Sequence, residues 1–396
     1  MSTLRESVLR VQPHSVALRH DLHTHPELGY KEHRTSQVVQ EHLAKIGVTF
    51  KGGLAGGTGV LGWLPATVNP SGARTVALRA DMDALPILER TGLPYESVHS
   101  GVMHACGHDG HTTILMTAAE ILQLQPHRPN NVLLIFQPAE EGGAGGQRLC
   151  QEGALQGKII GKPADIIFGL HGYPRAEVGH VTTRNGPLLA AASQFVVHIV
   201  GKGTHAAYPH FGIDPIVVAA HIVTALQTIA SRSVDPLDSV VITIGQVLAG
   251  VAHNVIPETA SLHGTLRTLN NGADIFAKRR ISEIVTNVAV AFGASATTEW
   301  VGAYPVTFNN PAATEEFRRV ARRVIGEEAV HEEPNPSMGG EDFSFYGQEI
   351  PASFFFLGLR PREPDSYPNL HSPDFDFNDD AIPTGAELLC ELALSE

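Results

Sequence analysis

Along the first half of the chain, short apolar runs alternate with segments whose apolar residues recur at helical spacing. Residues 75–78, 132–136 and 166–170 read as strands, and residues 35–45 and 112–122 read as helices. Strands that are apolar without alternation suit a sheet covered on both faces, so this half is expected to be α/β, with helices over a mainly parallel sheet. Each strand then runs into polar residues: Arg79-Ala80-Asp81-Met82-Asp83, Gln137-Pro138-Ala139-Glu140-Glu141 and His171-Gly172. Ligands of open α/β sheets gather at the carboxyl ends of strands, and three such ends are expected to converge on one crevice.

The rhythm changes near residue 185. Strand patterns at 195–200, 239–247 and 260–266 alternate with helical patterns at 215–230 and 275–290, the order of a ferredoxin-like α+β unit. Turn-rich Asn185-Gly186-Pro187 and Asn309-Asn310-Pro311 flank it. A helix at 312–325, a strand at 354–357 and a helix at 382–394 complete the first domain. The expected organisation is a catalytic domain of residues 1–185 and 304–396 with residues 186–303 inserted as a second domain. The longest apolar run, 216–230, contains His221 and Gln227 and falls short of the roughly 20 residues that cross a bilayer. It reads as a buried helix, and no membrane association is expected.

A length of 396 residues with 43% apolar content supports two cores. Forty-one acidic residues against 28 basic ones give a net charge of −13, which argues against nucleic acid as a partner. Residues 1–10 lack the apolar core of a secretory signal. The three cysteines, Cys106, Cys150 and Cys390, form no disulfide framework and suit a reducing compartment, so the cytoplasm is expected.

The densest chemistry is His104-Ala105-Cys106-Gly107-His108-Asp109-Gly110-His111. Thiolate and imidazole are ligands of zinc and similar ions, and Cys106 and His108, two apart, can face one side of an extended segment before Asp109 opens a helix. A structural cysteine beside surface histidines has the same local sequence. Glu140-Glu141 is the second cluster: adjacent carboxylates repel unless a cation holds them, so one can ligate while the other accepts a proton, although a solvated acidic turn fits too. His171 and His371 are isolated in sequence, but His171 ends a strand and His371 lies in a loop near the same sheet edge. Gly57-Thr58-Gly59-Val60-Leu61-Gly62 matches a dinucleotide fingerprint formally, yet Trp63-Leu64-Pro65 follows where a helix should start.

These segments, together with His23-Thr24-His25-Pro26-Glu27-Leu28-Gly29, Lys202-Gly203-Thr204-His205-Ala206-Ala207, Met338 to Phe343 and Leu370-His371, resemble the amidohydrolase branch of the aminoacylase and carboxypeptidase metallopeptidases, which includes hippurate hydrolases and auxin-conjugate hydrolases. The resemblance spans nearly the whole chain. It implies two divalent ions per subunit, zinc or manganese with cobalt or nickel as further options. Cys106 would bridge them, His108, Glu141, His171 and His371 would complete their spheres, and Glu140 would be the free base. Asp83 would orient a ligand or the base. Asp81 stands where relatives with another ligand set carry a metal histidine, and it is left out of the metal set. The inserted domain would form a homodimer and send His205 into the partner's active site. Asn254 and Arg267 would hold the substrate carboxylate, and Gly339 and Gly340 would let backbone approach the substrate.

The expected reaction is hydrolysis of the amide of a small N-acyl amino acid, hippurate-like or N-acetylated. Glu140 takes a proton from the attacking water and returns it to the leaving amine. A dipeptidase or carboxypeptidase would use the same metals with a different substrate pocket, and a non-catalytic binding protein could occupy the same scaffold.

Overall fold

In the computed structural model, which describes residues 4–363 and 366–395, the chain forms two compact units. The first comprises Met1–Leu188, Phe308–Pro334 and Asp342–Glu396. Its eight-stranded sheet has a parallel centre of Asn131–Gln137, Thr75–Asp81, Ile166–Glu177 and Ala352–Arg360. The two leading strands of this centre are buried at every position, which is why their sequences are apolar without alternation.

Toward the edges the sheet is mixed, where a mainly parallel one was expected. Gly59–Leu64 runs antiparallel to both Thr49–Leu54 and Asn131–Gln137, and Val181–Thr183 runs antiparallel to Ala352–Arg360. The cause is connection length. Only residues 55–58 separate the first pair and residues 178–180 precede Val181, far too few for the crossover that a parallel return needs. The glycine-rich run at 57–62 leads into the strand Gly59–Leu64, with no helix following.

Helices Leu4–Thr24, His108–Gln123 and Ile382–Leu394 pack on one another. The first of them carries no clear apolar period because its buried positions, Val8, Ser15, Arg19, Leu22 and His23, keep helical spacing but include three polar residues.

The second unit is Leu189–Thr307 with Asn335–Glu341. Ala191–Val200, Val240–Ala249, Thr259–Thr268 and Ser295–Tyr304 form an antiparallel sheet in the order second, third, first, fourth, and helices Pro215–Thr228 and Asn271–Ala291 complete a ferredoxin-like βαββαβ unit. Asp214 and Asn270 cap the helices, accepting from Ile216 N at 2.9 Å and Ala273 N at 2.7 Å. The helix at 215 is buried on one face, through Val218, Ala219, Ile222 and Leu226, while Ile216 and Val217 are exposed, so the buried helix expected there is buried along one side. A π-helical turn at Ile229–Ser233 lengthens it to a segment, Pro215–Ser233, that is long and apolar enough by composition to cross a membrane; here its inner face packs in the core of this unit. Asn335–Glu341 joins this unit although the boundaries read from sequence left it in the other, since Ala190 N donates to Ser337 O at 3.0 Å and to Gly339 O at 2.9 Å.

Candidate metal centre and active site

The site in the first unit grows from the ends of Thr75–Asp81 and Asn131–Gln137 and from the middle of Ile166–Glu177, where His171 lies inside the strand and not at the tip that the sequence suggests, because the strand runs on past residue 170. Past Thr75–Asp81 comes Asp83, whose carboxylate is buried. Its Oδ1 accepts from Glu140 N at 3.0 Å and lies 3.2 Å from His108 Nδ1, while Oδ2 accepts from Glu141 N at 2.9 Å. One carboxylate thus aligns a candidate ligand and the backbone of both candidate glutamates. With Nδ1 held by Asp83, His108 is left with Nε2 buried and, among the described residues, without a hydrogen-bond partner.

Local sequence explains how Cys106 and His108 reach this place. Gly107 has φ 84° at the helix start, and an added Cβ there would stand 2.9 Å from the Phe377 ring; at Gly110 the gap would be 2.5 Å. Both glycines let the first turn of His108–Gln123 lie against that ring. Ala139 and His371 take positive φ, 53° and 63°, a conformation that costs a non-glycine residue about 1–2 kcal/mol. Each is held: Ala139 N donates to Glu32 Oε1 at 2.8 Å, and His371 N donates to Ala105 O at 2.8 Å.

Ligand atoms of Cys106, His108 and His171 lie within 4.8 Å of one another, and so do those of Cys106, Glu141 and His371. Cys106 belongs to both groups. Its Sγ is 3.3 Å from His171 Nε2, and His371 Nε2 is 3.1 Å from Glu141 Oε1. His171 Nδ1 donates to Gly172 O at 2.8 Å, which aims Nε2 at the thiol. Glu140 is close to His108 and Glu141, and Asp342 N reaches its Oε1 at 3.4 Å.

The electrostatics describe a place built for positive charge. Burial pushes the Cys106 thiol well above its ordinary range, and the carboxylates of Glu141, Glu140 and Asp81 push it further. Burial opposes a charge on His108, yet Asp81 and Asp83 overcome it and raise the ring to about 10. Burial and the neighbouring His111 ring lower His171 to about 3. Burial works against ionised Glu141, but His371 and His108 still hold it below the usual carboxylate range. A thiol, three imidazoles and a carboxylate, with His108 Nε2 buried, without a hydrogen bond among the described residues and 3.8 Å from Asp81 Oδ2, fit divalent metal ions, which would release the thiol proton on binding.

The other predicted residues lie in the second unit. His205 is exposed on the short strand Thr204–His205, which pairs with Val255–Ile256; its Nδ1 accepts from Ala207 N at 3.0 Å. Asn254 is adjacent, its carbonyl accepting from Ala206 N at 3.0 Å. Arg267 is half-buried on Thr259–Thr268 with its pKa lowered by burial, and it faces Ala192 in register. Gly340 packs against that same alanine, where a Cβ would come within 2.6 Å, and Gly339 N donates to Ser337 Oγ at 3.1 Å. The fold therefore gathers Arg267 and Gly340 at one place and His205 and Asn254 at another.

A buried set lies beside the candidate metal centre, Arg79, Asp81, His111, Gln137 and Asp342, which the sequence motifs contain but to which sequence reading gives no role beyond leaving Asp81 out of the metal set. The available signal was spacing, since His111 is one helical turn past His108 and Asp81 alternates with Arg79 and Asp83 along the strand.

Residues 77–395 match the Peptidase family M20/M25/M40. The chain is 39% identical over 383 residues to an Arabidopsis thaliana protein named IAA-amino acid hydrolase ILR1-like 4, covering 96% of this chain and 84% of that one. It is 38% identical to the N-acetyl-L-cysteine deacetylase of Bacillus subtilis over 99% of this chain and 89% of the other. Among solved structures, the Bacillus subtilis YXEP protein, described as a dinuclear metal-binding peptidase of the M20 family, superposes with a TM-score of 0.82 at 30% identity, covering 97% of this chain and 98% of that one. With matched sequence running through the segments that carry Cys106, His108, Glu140, Glu141, His171 and His371, this chain belongs to the peptidase family M20/M25/M40.

Proposed function

We propose that this protein is a metal-dependent amidohydrolase that cleaves the amide bond of N-acyl amino acids. The observation that carries the reading is Asp83, which fixes His108 and presents Glu140 and Glu141 side by side next to two ligand groups that share Cys106. The relatives named IAA-amino acid hydrolase and N-acetyl-L-cysteine deacetylase are both named for a conjugated amino acid, which supports that substrate class.

Two divalent ions, zinc or manganese by donor type, held by Cys106, His108, Glu141, His171 and His371, would supply Lewis-acid polarisation of the amide carbonyl and a water of lowered pKa. Glu140 accepts the proton of the attacking water and delivers it to the leaving nitrogen. Asp83 keeps Glu140 in reach by gripping its backbone N–H. Arg267 takes the substrate carboxylate; Asn254 stands beside His205 and not beside Arg267, so it would join from the second chain, whose His205 steadies the carbonyl oxygen as charge develops on it. Glu140→Gln is expected to keep both metals and lose roughly 100- to 10,000-fold in turnover of N-acetyl and hippurate-type substrates; near-normal turnover removes Glu140 from this role.

Homodimerisation through the inserted unit belongs to the same proposal. It is supported by exposed Ile216, Val241, Val247, Leu248, Val251 and Val255 on that unit, an apolar display of the kind that marks association surfaces. Leu248→Asp is expected to shift the solution mass from two chains to one in sedimentation; an unchanged mass, or a wild type that is already one chain, rejects the dimer.

A further inference from the structure

Arg79 is fully buried in the first unit and spends its whole guanidinium on neighbours. Nε donates to Gln137 Oε1 at 2.9 Å, Nη2 to Asp342 Oδ1 at 2.9 Å and Nη1 to Asp81 Oδ2 at 2.7 Å. Asp342 is anchored in turn by Gly146 N at 2.9 Å and Gln137 Nε2 at 2.7 Å. The other oxygen of Asp81 lies 2.7 Å from His111 Nδ1, and the far nitrogen of that ring, Nε2, accepts from Gly172 N at 2.8 Å. The backbone N–H of Gly172 can only donate, so the tautomer is settled: His111 Nδ1 carries the proton and gives it to Asp81. Gly172 is also the residue whose carbonyl holds His171 Nδ1.

We propose that the relay Arg79–Asp81–His111 is a positioning device that clamps Gly172 and thereby aims His171 at Cys106, with Asp81 committed to His111. The inference rests on the hydrolase reading above. Asp81, with Oδ1 on His111 and Oδ2 on Arg79 and 3.8 Å from His108 Nε2, then has both oxygens engaged, which explains a buried carboxylate between two histidines that need not itself ligate.

Two substitutions separate the ends of the ring. In His111→Gln the side-chain oxygen can replace Nε2 as acceptor for Gly172; in His111→Asn the amide nitrogen can replace Nδ1 toward Asp81 and Gly172 is left without its partner. Zinc affinity by chelator competition and the split between kcat and KM are read for both, after melts of the metal-free proteins confirm folding. His111→Asn is expected to weaken zinc about 10- to 100-fold and lower kcat with little change in KM, and His111→Gln to restore most of both. Equal behaviour, or a milder Asn variant, overturns the proposal. Should neither variant fold, nitrogen-15 histidine spectra of the wild type decide: a buried ring protonated at Nδ1 alone supports the relay, and the opposite tautomer overturns it. A wild type that binds no zinc sinks the hydrolase reading and this inference with it. An active, zinc-loaded wild type with two equivalent variants sinks this inference alone.

Discussion

His108 and His205 are both expected at the chemistry, yet the chain treats them in opposite ways. His108 is buried, gripped at Nδ1 by Asp83 and raised to about 10 by surrounding carboxylates that outweigh burial. His205 is exposed on a two-residue strand, and its ring nitrogen only receives a backbone N–H. The contrast extends to their units: the candidate metal ligands are oriented by their own chain, whereas the residues proposed for substrate stand on a separate unit with a markedly apolar exposed surface. Metal binding should therefore be a property of one chain's first unit, and substrate handling should depend on the second.

The largest effect that would break this division comes from Cys106. Cys106→Ala removes the one donor common to both ligand groups, so metal analysis should fall from two ions per chain toward none and turnover should fall by orders of magnitude. Retention of both ions would show that the two groups do not share the thiol. The next effect lies in the other unit. Arg267→Ala should leave the metal content at two and raise KM about 10- to 100-fold, the cost of a charged hydrogen bond to a carboxylate, with kcat nearly kept. Loss of metal in that variant would erase the separation between the units.

The first unit was legible wherever ligand types stood next to one another, as at Cys106-Gly107-His108 where a helix begins and Glu140-Glu141 past a strand. Those adjacencies are chemical and survive without coordinates. What could not be read was the polar interior behind them. Arg19 and His23 interrupt the apolar face of Leu4–Thr24, and Arg79, Asp81 and Asp342 are charges that a hydropathy pattern assigns to surface. Their burial is tolerable because each finds a counter-charge: Arg79 meets Asp81 two residues on, but Arg79 with Asp342 and Arg19 with Asp109 pair far along the chain, and pairing over such distances leaves no local signature. In the second unit the strand and helix order was readable from periodicity. The return of Asn335–Glu341 to it was not, because it rests on backbone hydrogen bonds that any sequence can make.

The smallest effect concerns that buried polar interior. Burial alone would lower His23, but Asp109 and Glu89, 2.8 and 3.0 Å from its ring nitrogens, raise it from 6.5 to about 10. A pKa raised by folding contributes stability that is complete below about pH 6.5 and disappears as pH rises through 10. Melting temperatures of the metal-free protein should therefore decline between pH 7 and 10, and His23→Gln should flatten the decline. An unchanged slope would mean that the cluster behind the centre holds no such proton.

The most direct test of the central claim is a titration of the metal-free wild-type chain with cobalt, followed in the ultraviolet and visible. A Cys106 thiolate shared between two ions predicts a stoichiometry of two per chain and a thiolate-to-cobalt band that keeps changing through the second equivalent. Saturation at one ion, or two ions with no thiolate band, would contradict the account.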